Sequence, residues 1–162
     1  MKTQFGSFWL RLFRGGVHLT PIEERLLRLF REHIPSPFHA ALDAQFAAYN
    51  LAQRHVEWKG VNLYRIRRGK VVRDDLPTLP CSDGEVKLLA LAVSPSPSVP
   101  PLHVMFWAVQ KYFFGFGTGE SLKPFRQASD LQLLSVKQSW RSNFAPEPRT
   151  SSPSGPGRAV AG

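Results

Sequence analysis

LHVMFWAVQKYFFGF, residues 102–116, is the most apolar stretch of the chain, and its reading decides the fold. Val104, Phe106, Trp107, Val109, Tyr112, Phe113 and Phe114 are β-branched or aromatic types that suit a pleated, half-buried surface. Periodicity alone separates a buried strand from a buried helix poorly over so short a run. The enrichment predicts one long central strand across Leu102–Phe116, broken by Gly115, Gly117 and Gly119.

On the N-terminal side of this stretch lies Ser94-Pro-Ser-Pro-Ser-Val-Pro-Pro101, a stiff extended linker that connects two sheet strands. Before it, Glu85–Val93 is apolar on both faces, the pattern of a central strand. Val56–Ile66 is a further strand. Arg68-Gly69 or Gly69-Lys70 makes a turn, Val71-Val72 begins the return, and 74–84 is loop. On the C-terminal side, Leu131–Trp140 supplies a last strand in which Leu131, Leu133 and Val136 mark the alternation. Residues 143–162 are rich in Pro, Ser, Gly and Ala, a composition that predicts a disordered tail.

Upstream of His55 the spacing changes from two to nearly four. Thr20-Pro21-Ile22-Glu23 has the form of a capping box, with proline at the first helical position. Ile22, Leu26, Leu29, Phe30 and His33 then line one face. Pro35-Ser36-Pro37 stops that helix and starts the next, expected over 37–53, with Phe38, Leu42, Phe46 and Tyr49 as its buried stripe and alanines around it. Residues 1–14 repeat Phe5, Phe8, Trp9, Leu12 and Phe13 at helical spacing, with Lys2, Arg11 and Arg14 as the only charges. Gly15 and Gly16 end this helix.

These elements predict an α+β fold: two to three N-terminal helices packed on a curved antiparallel sheet of four to five strands. The organisation expected is an amphipathic N-terminal helix over 1–16, a single α+β domain over 17–142 and the tail from 143. By element order the arrangement is similar to the cystatin-like class of architectures, cone-shaped nuclear-transport-factor-like domains included. Ala48-Tyr49-Asn50 resembles the helix end of cystatins, whereas Val56-Glu-Trp-Lys-Gly60 does not match their protease-inserting hairpin. Element order transfers no activity.

The formal net charge of +9 favours acidic partners: nucleic acid, an anionic membrane surface or an acidic protein. No apolar run reaches the length of a bilayer span, and Arg11 and Arg14 interrupt the stretch that a signal peptide would need. Cys81 is the single cysteine, so no intramolecular disulfide forms, which fits a reducing, cytoplasmic setting.

The chemistry-bearing patterns are few. His18, His33, His39, His55 and His103 form no metal-ligand spacing with one another or with Cys81. Gly115-Phe-Gly-Thr-Gly119 departs from the dinucleotide fingerprint, because its third glycine is two residues after the second. No cofactor, metal or catalytic residue is assigned. Three function classes remain. The first is a non-enzymatic accessory or binding module that uses an apolar sheet face, or the stripe Phe5, Phe8, Trp9, Leu12 and Phe13 with Arg11 and Arg14, to hold a partner or a membrane surface. The simplest alternative for that stripe is packing on the domain's own sheet. The second class is a nucleic-acid-associated protein using the basic hairpin Arg65, Arg67, Arg68, Lys70 and Arg73, with Trp58 and Tyr64 as stacking surfaces. Against it, Arg and Lys also protect exposed edges, and Asp74 and Asp75 offset the patch. The third is a small enzyme pairing His55 or His103 with a carboxylate in a sheet pocket.

Overall fold

The computed structural model describes residues 18–139. The expected helix over 1–16, with its stripe Phe5 to Phe13, and the expected tail over 143–162 lie outside the described residues.

Helix α1 spans Pro21–His33. The Glu23 carboxylate accepts the Thr20 backbone N–H at 2.7 Å, the return arm of the expected capping box. Ile22, Leu26, Leu29 and Phe30 are buried as their spacing requires, and Leu27 joins them. His33 is only half-buried, and its Nδ1 donates to the Leu29 carbonyl one turn earlier at 2.8 Å. A 3-10 turn at Ser36–Phe38 leads into helix α2, His39–Ala48. Phe38, Leu42, Phe46 and Tyr49 are all buried. Arg31 and Asp43 join the two helices through a bidentate pair, Nε–Oδ1 at 2.6 Å and Nη2–Oδ2 at 2.7 Å.

Helix α2 is shorter than the 37–53 expected. Strand β1, Leu51–Arg54, begins three residues after it and pairs antiparallel with β2, Gly60–Tyr64, in the register Leu51↔Tyr64 to Arg54↔Val61. Asn50 makes the switch: its side chain accepts the Ile66 N–H at 2.7 Å and donates to the Ile66 carbonyl at 2.9 Å. These non-local bonds override the helix propensity of the alanine-rich sequence. The expected strand 56–66 is correspondingly shortened, because residues 55–59 form the turn between β1 and β2.

Beyond β2 the chain makes a separate two-stranded ribbon, β3 (Ile66–Arg67) with β4 (Lys70–Val71), turning at Arg68 and Gly69, whose φ values are 50° and 74°. That is the backbone twist of the primed hairpin turns. Strand β5, Glu85–Ser94, follows the loop, and the proline linker then returns the chain as β6, Leu102–Val109, antiparallel to it.

The stretch 102–116 is not one strand. Gln110 and Lys111, at φ 52° and 67°, turn it into a tight hairpin of β6 and β7, Tyr112–Thr118, with Val109 opposite Tyr112. The glycines do not end β7, which runs through Gly115 and Gly117. Strand β8, Gln132–Gln138, completes a six-stranded sheet in the order β1-β2-β7-β6-β5-β8, every neighbour antiparallel. The sheet has six strands rather than the expected four to five, because β1 forms within the stretch expected to be helical and because Leu102–Phe116 folds back on itself as β6 and β7.

Both helices pack on one face of this sheet. Phe30 of α1 stacks on Phe106 at 4.5 Å between ring centroids, and Phe46 of α2 meets Phe113 edge-on at 4.9 Å. Phe116, Val61, Leu63, Val104 and Leu91 fill the same layer. Each such side chain contributes roughly 1.5–3 kcal/mol by leaving water. The layer also buries a polar group, Gln45. Its Nε2 donates to the Pro77 carbonyl at 2.7 Å and its Oε1 accepts the Phe113 N–H at 2.8 Å, so α2 is bound to both β7 and the loop before β5.

A candidate binding face on the helix-free side of the sheet

Strand pleating sends alternate side chains to opposite faces. Where Phe106, Phe113 and Phe116 face the helices, their neighbours Met105, Trp107 and Phe114 face away. The same alternation places Leu51, Gln53 and His55, then Asn62 and Tyr64, then His103, Ala90 and Lys87, and finally Ser135 and Lys137 on that second face. Both helices lie on the opposite side, so among the described residues this face carries no helix.

Its floor is built from glycine. The cross-strand register lines up Gly60, Gly117, Met105, Ala90 and Lys137 in one row running across β2, β7, β6, β5 and β8. Where glycine removes side-chain height, neighbouring rings lie down over the backbone. A Cβ on Gly117 would stand 3.0 Å from the Trp107 indole, and one on Gly60 would stand 2.5 Å from the Phe116 carbonyl oxygen and 2.9 Å from the His55 ring. Gly115 serves strand contact instead, because a Cβ there would sit 2.1 Å from the Val61 carbonyl oxygen. At the other end of β2, Tyr64 meets Phe114 edge-on at 5.6 Å. The result is a flat belt of His55, Trp107, Met105 and Ala90, with Tyr64 and Phe114 beside it. Met105, Trp107, Phe114 and Tyr64 are each half-buried.

No family model, no curated protein and no solved structure matches this chain. The reading of its function therefore rests on the residues themselves.

The basic hairpin is split by its contacts. Arg65 donates to the Asp74 carbonyl at 2.8 Å, while Arg73 donates to Gln110 Oε1 at 2.7 Å and lies 5.5 Å above the Tyr112 ring. Arg67, Arg68 and Lys70 stand exposed at the tip, next to exposed Asp74 and Asp75. Trp58 is half-buried with the Arg54 guanidinium 5.4 Å from its ring, and Tyr64 is engaged by Phe114. Each of these two rings has a neighbour within the chain and keeps part of its surface in solvent.

His55 and His103 are both exposed on the helix-free face, and neither hydrogen-bonds a carboxylate among the described residues. His55 Nε2 lies 3.3 Å from Asn62 Oδ1. A polar cleft of about 530 Å³ lies elsewhere, between Arg25 and Arg28 of α1, the linker residues Ser94 to Pro97, and Ser129 to Gln132. It contains neither histidine, and Asp130 sets a carboxylate among its arginines. Cys81 is buried, and burial pushes its thiol pKa up, away from the thiolate that nucleophilic chemistry needs. Among the described residues no group of three or more His, Cys, Asp or Glu is placed to hold a metal ion, and no helix is long and apolar enough to cross a membrane.

Gly115 and Gly117 were legible only as strand breakers. The strand contact of Gly115 with Asn62 and the place of Gly117 opposite Met105 depend on register between residues far apart in the chain. The alternation of Val104, Phe106 and Ala108 against Met105 and Trp107 was the available signal for two distinct faces.

Proposed function

We propose that the chain is a non-enzymatic binding module that receives an amphipathic polypeptide on the helix-free face of its sheet. The observation that carries this reading is the belt of His55, Trp107, Met105 and Ala90 on a glycine floor. Rings lying over the glycines offer contact area at little entropic cost. Aromatic and methionine side chains are also the types enriched where proteins bind one another. The cystatin-like arrangement belongs to the same proposal, since those architectures present a sheet surface opposite a helix.

The test is selection of a displayed random-peptide library on the full-length protein, repeated with W107E and M105E. The expected result is enrichment of sequences with apolar residues at helical or alternating spacing, lost in both variants while the circular dichroism spectrum is unchanged. Binders that survive both substitutions and disappear in R67E/R68E/K70E would contradict it. Such an outcome favours the second reading, in which the exposed hairpin tip of Arg67, Arg68 and Lys70 tracks phosphates of a nucleic acid. That alternative requires affinity for RNA or DNA that falls steeply with salt.

A further inference from the structure

Three segments meet where the β5–β8 ladder ends. Ser94 opposite Gln132 is its last rung. Beyond that rung the two chains part: β5 runs on into the proline linker, and β8 is entered from Ser129–Leu131. Helix α1 borders the opening. The space between the three is a cleft of about 530 Å³, whose lining includes Arg25, Arg28, Ser96, Pro97, Asp130 and Gln132. That volume falls within the roughly 300–1,000 Å³ of small-molecule sites.

The walls are held in place. Leu26 and Leu29, buried beside the two arginines, tie α1 to the core. The linker, expected to be extended, turns here instead. The buried Ser94 hydroxyl donates to the Ser96 carbonyl at 2.7 Å, and the Val99 N–H donates to the same carbonyl at 3.1 Å. On the other chain the Ala128 N–H donates to the Phe125 carbonyl at 2.8 Å, and buried Leu131 fixes the segment that carries Ser129 and Asp130.

The lining groups select a ligand class. Arg25 and Arg28 are three residues apart on one helix, so their side chains leave from the same side. Two planar guanidinium forks match the oxygens of a phosphate group. Arg25 also faces Glu32 at 3.8 Å, a pair with half of the Glu32 side chain in solvent. Such a pair is worth little, and its guanidinium is able to turn to a ligand. Asp130 is exposed and forms no ion pair among the described residues. A carboxylate near two arginines weakens the hold on a bare anion and accepts hydrogen bonds from hydroxyl groups. The Ser129 hydroxyl and the Gln132 amide add neutral donors and acceptors. Among the described residues no aromatic ring lines the cleft, so a nucleobase gains no stacking there.

We propose that this cleft binds the phosphate monoester of a polyol, its phosphate on Arg25 and Arg28 and its hydroxyls toward Asp130, Ser129 and Gln132. The site is separate from the helix-free face and does not depend on a polypeptide binding there.

Isothermal titration calorimetry of the full chain tests this with glucose 6-phosphate, glycerol 3-phosphate and myo-inositol 1-phosphate, and with inorganic phosphate and glucose as comparators. At least one ester is expected to bind about tenfold tighter than inorganic phosphate, a difference of about 1.4 kcal/mol, and glucose to give no heat. R25A/R28A should lower the affinity for that ester by about tenfold or more with an unchanged circular dichroism spectrum. K123A/R126A removes the same charge from an exposed turn outside the cleft and should leave the affinity unchanged. D130N should narrow the preference for ester over inorganic phosphate by about fivefold. Flotation with vesicles carrying phosphatidylinositol 4-phosphate separates the two sources of such an ester. Capture that R25A/R28A abolishes assigns it to a lipid headgroup, and binding of a free ester without capture assigns it to a soluble metabolite. Equal affinity for ester and inorganic phosphate, an equal loss in K123A/R126A and R25A/R28A, or no response to any ester or vesicle would overturn the proposal.

Discussion

Tyr49 shows how single side chains decide the layering. It closes α2, is almost fully buried, and donates its hydroxyl to the Phe113 carbonyl of β7. Burial raises its pKa well above the ordinary 10.0. The consequence for stability has a definite sign. Above pH 10 the unfolded chain loses the tyrosine proton while the folded chain keeps it, so the unfolded state binds fewer protons and stability falls as pH rises. The slope approaches about 1.4 kcal/mol per pH unit for this one group. Y49F is expected to lose about 1 kcal/mol near neutral pH, through the missing hydrogen bond. It should then show a shallower alkaline decline than the parent, so the two stabilities converge above pH 10. Urea denaturation from pH 7 to 11 checks this, and parallel curves would contradict it.

At the scale of elements, the hairpin of β6 and β7 is where sequence and structure part. Two-residue hairpin turns of type I′ need positive φ at both central positions, and Asn-Gly is their usual signature. Here Gln110 and Lys111 occupy those positions at 52° and 67°, so nothing in the local sequence announces a turn. Phe116↔Phe106 and Phe113↔Ala108 pairing forces it, with Phe30 stacked above. Q110N/K111G is expected to stabilise the protein by about 0.5 kcal/mol, the left-handed strain relieved being partly offset by glycine's entropy. A thermal melt that shows a lower midpoint would argue against that turn. The opposite situation holds at Arg68-Gly69, where glycine marks the turn and the hairpin was legible. Helix α1 was legible too, because Thr20-Pro21-Ile22-Glu23 and the spacing of Ile22, Leu26 and Phe30 are local signals. Strand β1 was not, because Leu51-Ala52-Gln53 continues an alanine-rich helix in composition and becomes a strand only by pairing with Leu63 and Tyr64.

At the scale of the whole molecule, the alternation through Val104 to Ala108 separates a helix-covered face from a helix-free one. The α+β class followed from the change in spacing near His55. The candidate face did not, because its glycine row is assembled from β2 and β7, some fifty-seven residues apart at Gly60 and Gly117. The basic hairpin was visible in the sequence, but only the structure shows that Arg65 and Arg73 are held by Asp74 and Gln110 while Arg67, Arg68 and Lys70 remain exposed at the tip. Adjacent residues therefore belong to different physical environments. Phe106 is fully buried beneath Phe30, whereas Trp107 lies across Gly117 on the other side.

Comparing F106A with W107A in the full chain by urea denaturation tests this two-faced sheet most directly. F106A is expected to lose about 3–5 kcal/mol, because a filled aromatic layer becomes a cavity. W107A is expected to lose less than about 2 kcal/mol, its ring giving up contacts with glycine backbone and with whatever lies above it. Equal losses, or a larger loss for W107A, would contradict the assignment of the helix-covered face to Phe106 and of the helix-free face to Trp107.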